Sequence, residues 1–223
     1  MRAIVFDFDG VIANSEPLHF RAYRDVLSEE QVTLEEADYY ARYLGYDDRG
    51  AFEAIAEHQG RRWTPEHIAA LIARKARKLA ALERESDVLF PGAKAAIEVS
   101  ASSLPIAVAS GALAREIRRV LDHANLTRHF TAIVAAEDTA RSKPAPDPYL
   151  RAVALLRERH GPLDPGQCVA VEDSRWGLAS ARAAGLKTVG VAQTYDAASL
   201  GPADLVIPSM LDFDFDALRQ LFP

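Results

Sequence analysis

Valine and isoleucine, the residues that most favour strands, are spread unevenly along this chain of 223 residues. Five of them fall among the 72 positions from 15 to 86, and twenty among the other 151. Glycine and proline divide in the same way, five against nineteen. A stretch poor in strand formers and chain breakers, and rich in Ala, Leu, Glu and Arg, is a stretch of helices. On either side of it, short apolar runs alternate with helical patterns: Ala3–Phe6, Pro105–Ala109, Ala132–Ala135, Cys168–Val171, Thr188–Val191 and Leu205–Ile207. That alternation predicts an α/β fold, a Rossmann-like parallel sheet flanked by helices. The helix-rich stretch predicts an all-helical insertion directly after the first strand. The expected domains are therefore a core of residues 1–14 and 87–223 and a helical domain of residues 15–86.

The predicted crossover helices carry their own marks. Leu113, Ile117, Val120 and Leu121 fall at i, i+4, i+7 and i+8, which makes one apolar face. Ser174 is placed to cap a helix running to about Ala184, where Gly185 supplies a left-handed stop. Asp147 before Pro148 reads as an N-cap with proline at the first helical position. Composition narrows the surroundings. The longest apolar run, Ile68–Ala73, is far short of the roughly 20 residues that span a bilayer. The start of the chain has no signal-peptide pattern, and the single cysteine, Cys168, permits no internal disulfide. A cytoplasmic protein with no membrane or nucleic-acid partner is expected, a monomer or weak dimer, with Cys168 as inert packing in a central strand.

In open parallel sheets, ligands bind beyond the carboxyl ends of the strands. The residues following the predicted strands are Asp7-Phe8-Asp9-Gly10, Ser110-Gly111, a loop leading to Lys143-Pro144, and Glu172-Asp173. Four strand ends thus supply four acids, a hydroxyl and a lysine. While the chain stays extended, Asp7 and Asp9 point to one side. Four gathered carboxylates need compensation, and a hard divalent cation with the Lys143 ammonium provides it. With Mg²⁺ and a proton on Asp9 the site reaches neutrality and accepts an anion, for which phosphate is the usual choice. Ser110-Gly111 ends a strand and opens a helix at about Ala112, so its hydroxyl and backbone N–H groups make an anion cradle. The prolines at 144, 146 and 148 stiffen the loop Lys143–Tyr149 and preorganise its lysine.

DFDGV at 7–11, SG at 110–111, KPAPDPY at 143–149 and EDS at 172–174 resemble, in order and spacing, the four motifs of the haloacid dehalogenase-like (HAD) hydrolase superfamily. The chain is most similar to the phosphatase and β-phosphoglucomutase-like branch, whose small helical cap the insertion matches. The resemblance implies Mg²⁺-dependent hydrolysis of a small phosphorylated metabolite. Asp7 would be the nucleophile that forms an aspartyl-phosphate, and Asp9 the acid and then the base. Ser110, the Gly111 backbone and Lys143 would hold the phosphoryl oxygens. Asp7, Asp9 through its backbone carbonyl, and Asp173 would bind the metal, with Glu172 a direct or water-mediated partner.

Within the cap, His19, Leu44 and Arg49 are the candidate substrate contacts. His19 matches a histidine that sugar-phosphate members of the family place against the acid–base aspartate. The mutase branch places a lysine before the cap glycine, where this chain has Leu44-Gly45, and leucine cannot grip a second phosphate. Phosphatase chemistry is therefore expected over mutase chemistry. Arg74, Lys75, Arg77 and Lys78 read as a solvated helix face. Asn14 stands where relatives usually carry Asp.

Overall fold

The computed structural model describes residues 1–44, 46–85 and 88–222. The expected core–cap boundary at 86/87, and Gly45 before the predicted cap loop, lie outside the described residues. The chain divides into two compact units, one of residues 1–14 with 88–223 and the other of residues 15–87.

The first unit is built on six parallel strands: β1 (Ala3–Phe6), β2 (Ile106–Ala109), β3 (Phe130–Val134), β4 (Cys168–Glu172), β5 (Lys187–Val191) and β6 (Leu205–Ile207). Their order in the sheet is β3-β2-β1-β4-β5-β6. The chain thus grows outward from β1 in one direction as far as β3, then crosses back to β4 on the other side of β1. This reversal, between β1 and β4, is where an open α/β sheet leaves a crevice at its carboxyl end. All four residues of β1 are fully buried, as sheet covered on both faces requires. One face presents small side chains, Ala3, Val5, Ala107, Ala109, Cys168 and Ala170, which let helices approach closely. Tyr149, Val153 and Leu156 of the helix Asp147–His160 and Ala181 of the helix Arg175–Ala183 pack there. Each fully buried Val or Leu in such a layer stabilises by about 1.5–3 kcal/mol. Cys168 belongs to this layer as expected, and burial pushes its thiol up to about 12.

The helices of this unit are α5 (Ala93–Ser103), α6 (Ala114–His123), α7 (Asp147–His160), α8 (Arg175–Ala183) and α9 (Phe215–Arg219). Ser174 caps α8 by accepting the Gly177 N–H at 3.1 Å, and Gly185 follows with φ of 88°. Two expectations shift. α6 starts at Ala114 with Leu113 as its N-cap, because the Leu113 N–H is taken by the Glu116 side chain. In α7 the N-cap is Pro146, and Asp147 is already helical, its carboxylate held by Arg141 at 2.9 and 3.1 Å. The two chain crossings at the edge of this unit pair with each other. The Asn14 N–H donates to Val88 at 2.7 Å, and the Phe90 N–H to Ile12 at 3.0 Å.

The second unit is helical among its described residues. It contains α1 (Glu16–Glu29), α2 (Glu36–Asp38) running into a π-helical turn at Tyr39–Tyr43, α3 (Asp48–His58) and α4 (Pro65–Glu85). Its core is aromatic: Tyr23 lies against Tyr39 and Phe52, with ring centroids 5.6 and 5.1 Å away. The cationic run on α4 is not uniformly a solvated face. Arg74 and Lys78 do lie at the surface, paired with Glu29 and, for Arg74, Glu30. Lys75 is 1% exposed. Its ammonium donates to Asp48 Oδ1 at 2.7 Å, lies 3.0 Å from His19 Nδ1, and sits 4.7 Å over the Tyr23 ring. The Tyr23 hydroxyl completes the group by donating to the same Asp48 oxygen at 2.7 Å. The physical reason is periodicity: Ile68, Leu71, Lys75 and Leu79 share the buried stripe of α4, and the lysine is tolerated there because Asp48 and the tyrosine ring compensate it. Lys75→Ala strands the Asp48 carboxylate, so urea denaturation should show a loss of about 2–3 kcal/mol. A loss under about 0.5 kcal/mol contradicts this reading of the helical unit's core.

Candidate active site

The β1–β4 register sets Phe6 beside Val171, and the Asp7 N–H donates to the Val171 carbonyl at 2.9 Å. Asp7 and Glu172, the last residue of β4, thereby arrive side by side. Lys143 joins them from the loop after β3. Its Nζ lies 2.8 Å from Asp7 Oδ1 and 2.6 Å from Glu172 Oε1, and 5.2 Å from the centre of the Tyr149 ring. The Lys143–Pro144 peptide bond is cis.

Glu172 is fully buried and both of its oxygens are satisfied by the protein. Oε1 accepts Lys143 and the Tyr149 hydroxyl at 2.7 Å. Oε2 accepts the Asp173 N–H at 3.2 Å, the Ser174 N–H at 3.4 Å and the Ser174 hydroxyl at 3.2 Å. The carboxylate rests directly on Gly177, where a Cβ would stand 1.9 Å from it. Asp173 is 5% exposed and is hydrogen-bonded by the Thr194 side chain. Its Oδ2 lies so close over the Gly10 backbone, where φ is +78°, that a Cβ there would come within 1.8 Å. Gln193 holds the same turn: its Nε2 donates to the Gly10 carbonyl at 2.8 Å, and its Oε1 accepts the Met210 N–H at 3.2 Å. The turn is tight, since the N–H groups of Ile12 and Ala13 both point at the Phe8 carbonyl, at 2.8 and 2.9 Å.

Ligand oxygens of Asp7, Glu172 and Asp173 lie within 4.8 Å of one another. Three carboxylates against one ammonium leave two negative charges uncompensated. Burial, then repulsion by Glu172, raises the Asp7 carboxyl well above its usual range, against the pull of Lys143. Burial and Glu172 also push Asp173 up to about 7, with Thr194 and Lys143 opposing. For Lys143 itself, burial disfavours the charge, but Asp7 and Glu172 outweigh it and keep the ammonium charged well past neutrality. A buried, all-oxygen site short of two positive charges fits a hard divalent cation.

Ser110 is buried at the end of β2, and its hydroxyl oxygen accepts the Ala112 N–H at 3.0 Å. The expected cradle is smaller than the sequence suggests. The Ser110 N–H donates to the Val134 carbonyl at 2.9 Å, and further on the Leu113 and Ala114 amides are taken by Glu116 and Glu137. Asp9 is half-buried and adds to the repulsion on Asp173, but its carboxylate stands outside the converging three.

A sequence-family model of haloacid dehalogenase-like hydrolases matches residues 1–185. The chain belongs to the haloacid dehalogenase-like hydrolase family. It is 31% identical to the fructose-1-phosphate phosphatase YqaB of Escherichia coli over 84% of this chain and 95% of that one. It is 28% identical to the β-phosphoglucomutase of Bacillus subtilis, over 99% and 95%. Among solved structures it resembles a mutant of CbbY from Rhodobacter sphaeroides in complex with xylulose 1,5-bisphosphate, with a TM-score of 0.80, 26% identity, and 95% and 96% of the two chains covered.

The remaining predicted site residues of this family member lie in its helical unit. His19 on α1 is held by Lys75, as described above. Burial, then the Lys75 ammonium, lowers its imidazole to about 3, with Asp48 opposing. Leu44 follows the π-helical turn and is half-buried, while Arg49 is exposed on α3 with Glu53 at 3.8 Å. Several residues at these two clusters, Asp48 and Tyr23 beside Lys75 among them, escaped the sequence reading. Tyr149 lay inside a quoted motif, and Gln193 and Thr194 follow β5, a fifth strand end to which the same rule applies. Lys75 was hidden by its basic neighbours.

Two outcomes follow from these contacts. Gly177→Ala drives a methyl into a carboxylate locked by five donors, and should cost about 1–3 kcal/mol in denaturant titrations; a neutral effect contradicts the locked geometry. In the unfolded chain His19 titrates near 6.5, and in the folded one near 3. As the pH falls through that window the unfolded state gains a proton that the folded state refuses, so stability falls by up to about 1.4 kcal/mol per unit. His19→Asn should flatten this acid limb in unfolding titrations, and an unchanged slope contradicts a neutral buried imidazole.

Proposed function

We propose that this hydrolase is a Mg²⁺-dependent phosphatase that cleaves a small phosphate monoester, such as a sugar phosphate, through an aspartyl-phosphate on Asp7. The observation that carries the reading is the Lys143 ammonium shared by Asp7 and Glu172 at the sheet's switch point. Lys143 opposes the effect of burial on Asp7 and so favours its ionised, nucleophilic form. An Asp7 oxygen attacks phosphorus, the ester oxygen departs with the bonding pair, and Asp9 supplies the proton that makes it an alcohol. Asp9, now ionised, takes a proton from water as that water attacks the same phosphorus, releasing phosphate and restoring Asp7. Lys143, the Ser110 hydroxyl and the Gly111 N–H steady the three transferring oxygens.

Asp7, Asp173 and the Asp9 carbonyl are the groups that would hold the metal. Its charge there would offset the buried acids and the phosphoryl group. Glu172, with both oxygens already engaged, positions Lys143 and Tyr149 and acts on the metal only from outside.

The second reading, a sugar-phosphate mutase, draws on the likeness to β-phosphoglucomutase. Leu44 argues against it, since a mutase must grip a second phosphate, and Arg49 already has Glu53 as a partner. A metabolite panel with Mg²⁺ should release inorganic phosphate from sugar phosphates, and Asp7→Asn should reduce this to background. β-Glucose 1-phosphate with catalytic bisphosphate should yield free phosphate for the parent and for Leu44→Lys alike. Glucose 6-phosphate without free phosphate from the parent overturns the phosphatase reading.

A further inference from the structure

The strand β3 ends the sheet order, so one of its sides has no neighbouring strand. In a parallel ladder each residue turns both its N–H and its C=O to the same side, and successive residues alternate. The Val134 carbonyl accepts the Ser110 N–H at 2.9 Å and so faces β2. The N–H and C=O of Ile133 therefore face away from the sheet. Thr131 is the extra residue of a bulge: Ile106 pairs with Phe130 and Ala107 with Ala132, which leaves Thr131 opposite nothing in β2.

Alongside this edge runs a half-open groove of about 290 Å³. It is lined by the stretch from Phe130 to Ile133, by Leu155 of α7, and by the exposed Arg118 of α6 and Arg159 of α7. Neither arginine has an ion-pair partner among the described residues. The nearby polar groups are already engaged, the Thr127 hydroxyl with Asp122 at 2.5 Å and the Thr131 hydroxyl with His160 at 3.1 Å. A chain with a net charge of −6 thus keeps two exposed arginines, free of ion pairs among the described residues, beside this open strand edge.

We propose that the β3 edge is a docking site for an extended acidic segment of a partner polypeptide, added as a seventh strand. The backbone of such a segment meets Ile133, its apolar side chains meet Ile133 and Leu155, and its carboxylates meet Arg118 and Arg159. A free anion uses the arginines but not the strand edge. A second copy paired through the same edge brings arginines against arginines, which charge disfavours.

The test uses the full chain and a fluorescent peptide of alternating glutamate and valine. Its controls are the same peptide N-methylated at alternate residues, a lysine–valine peptide, and inorganic phosphate as competitor. The proposal expects binding of the acidic peptide, protection of the Ile133 amide from exchange, and loss of binding with the methylated and basic peptides. Arg118→Glu with Arg159→Glu should weaken binding by about tenfold or more, while p-nitrophenyl phosphate turnover is unchanged. Absence of binding, equal binding of the methylated peptide, full displacement by phosphate, or indifference to the arginine changes each overturns it.

Discussion

A single buried ammonium, shared by two carboxylates, organises the carboxyl end of the sheet. Lys143 bonds to Asp7 on β1's end and to Glu172 on β4's end, so it closes the crevice between the two strands where the chain reverses direction. A buried charge cluster of this kind is not a cheap source of stability, because desolvation takes back much of what the ion pairs provide. Its use is in specifying geometry and charge. Tyr149 and Ser174 fix Glu172, Glu172 fixes Lys143, and Lys143 opposes the neutralisation that burial would otherwise impose on Asp7. Two glycines make the packing possible: Gly177 under Glu172 and Gly10 under Asp173 leave no room for a methyl group.

The same logic separates the acids by role. Glu172 has no free lone-pair direction left for a cation, whereas Asp7 and Asp173 are both pushed toward protonation by burial and by Glu172. A divalent cation bound there would relieve those two. The helical unit repeats the motif in miniature, with Lys75 compensated by Asp48 and the Tyr23 ring and His19 held neutral beside it.

Much of this was legible in the order of the residues. The α/β class and the six strands came from the alternation of short apolar runs with helical patterns, and the convergence of Asp7, Lys143, Glu172 and Asp173 from the rule that ligands gather at the carboxyl ends of parallel strands. Strand pairing was not legible, because neighbours in the sheet are distant in sequence; without it the contact of Asp7 with Glu172 was only a juxtaposition of strand ends. The anion cradle at Ser110-Gly111 is smaller than expected, since the Ser110 N–H is spent on the Val134 carbonyl. Lys75 was misjudged because a run of four basic residues in five positions looks like a surface, although its spacing from Leu71 and Leu79 places it on the buried stripe.

The central claim, that Asp7 carries the phosphoryl group in turnover, is most directly tested by intercepting it. Enzyme quenched during steady-state turnover with Mg²⁺ and p-nitrophenyl phosphate, then reduced with borohydride, should yield homoserine at position 7 in the mass spectrum of the digested chain. Phosphate release that persists with position 7 unmodified, or with another carboxylate reduced in its place, would contradict the account.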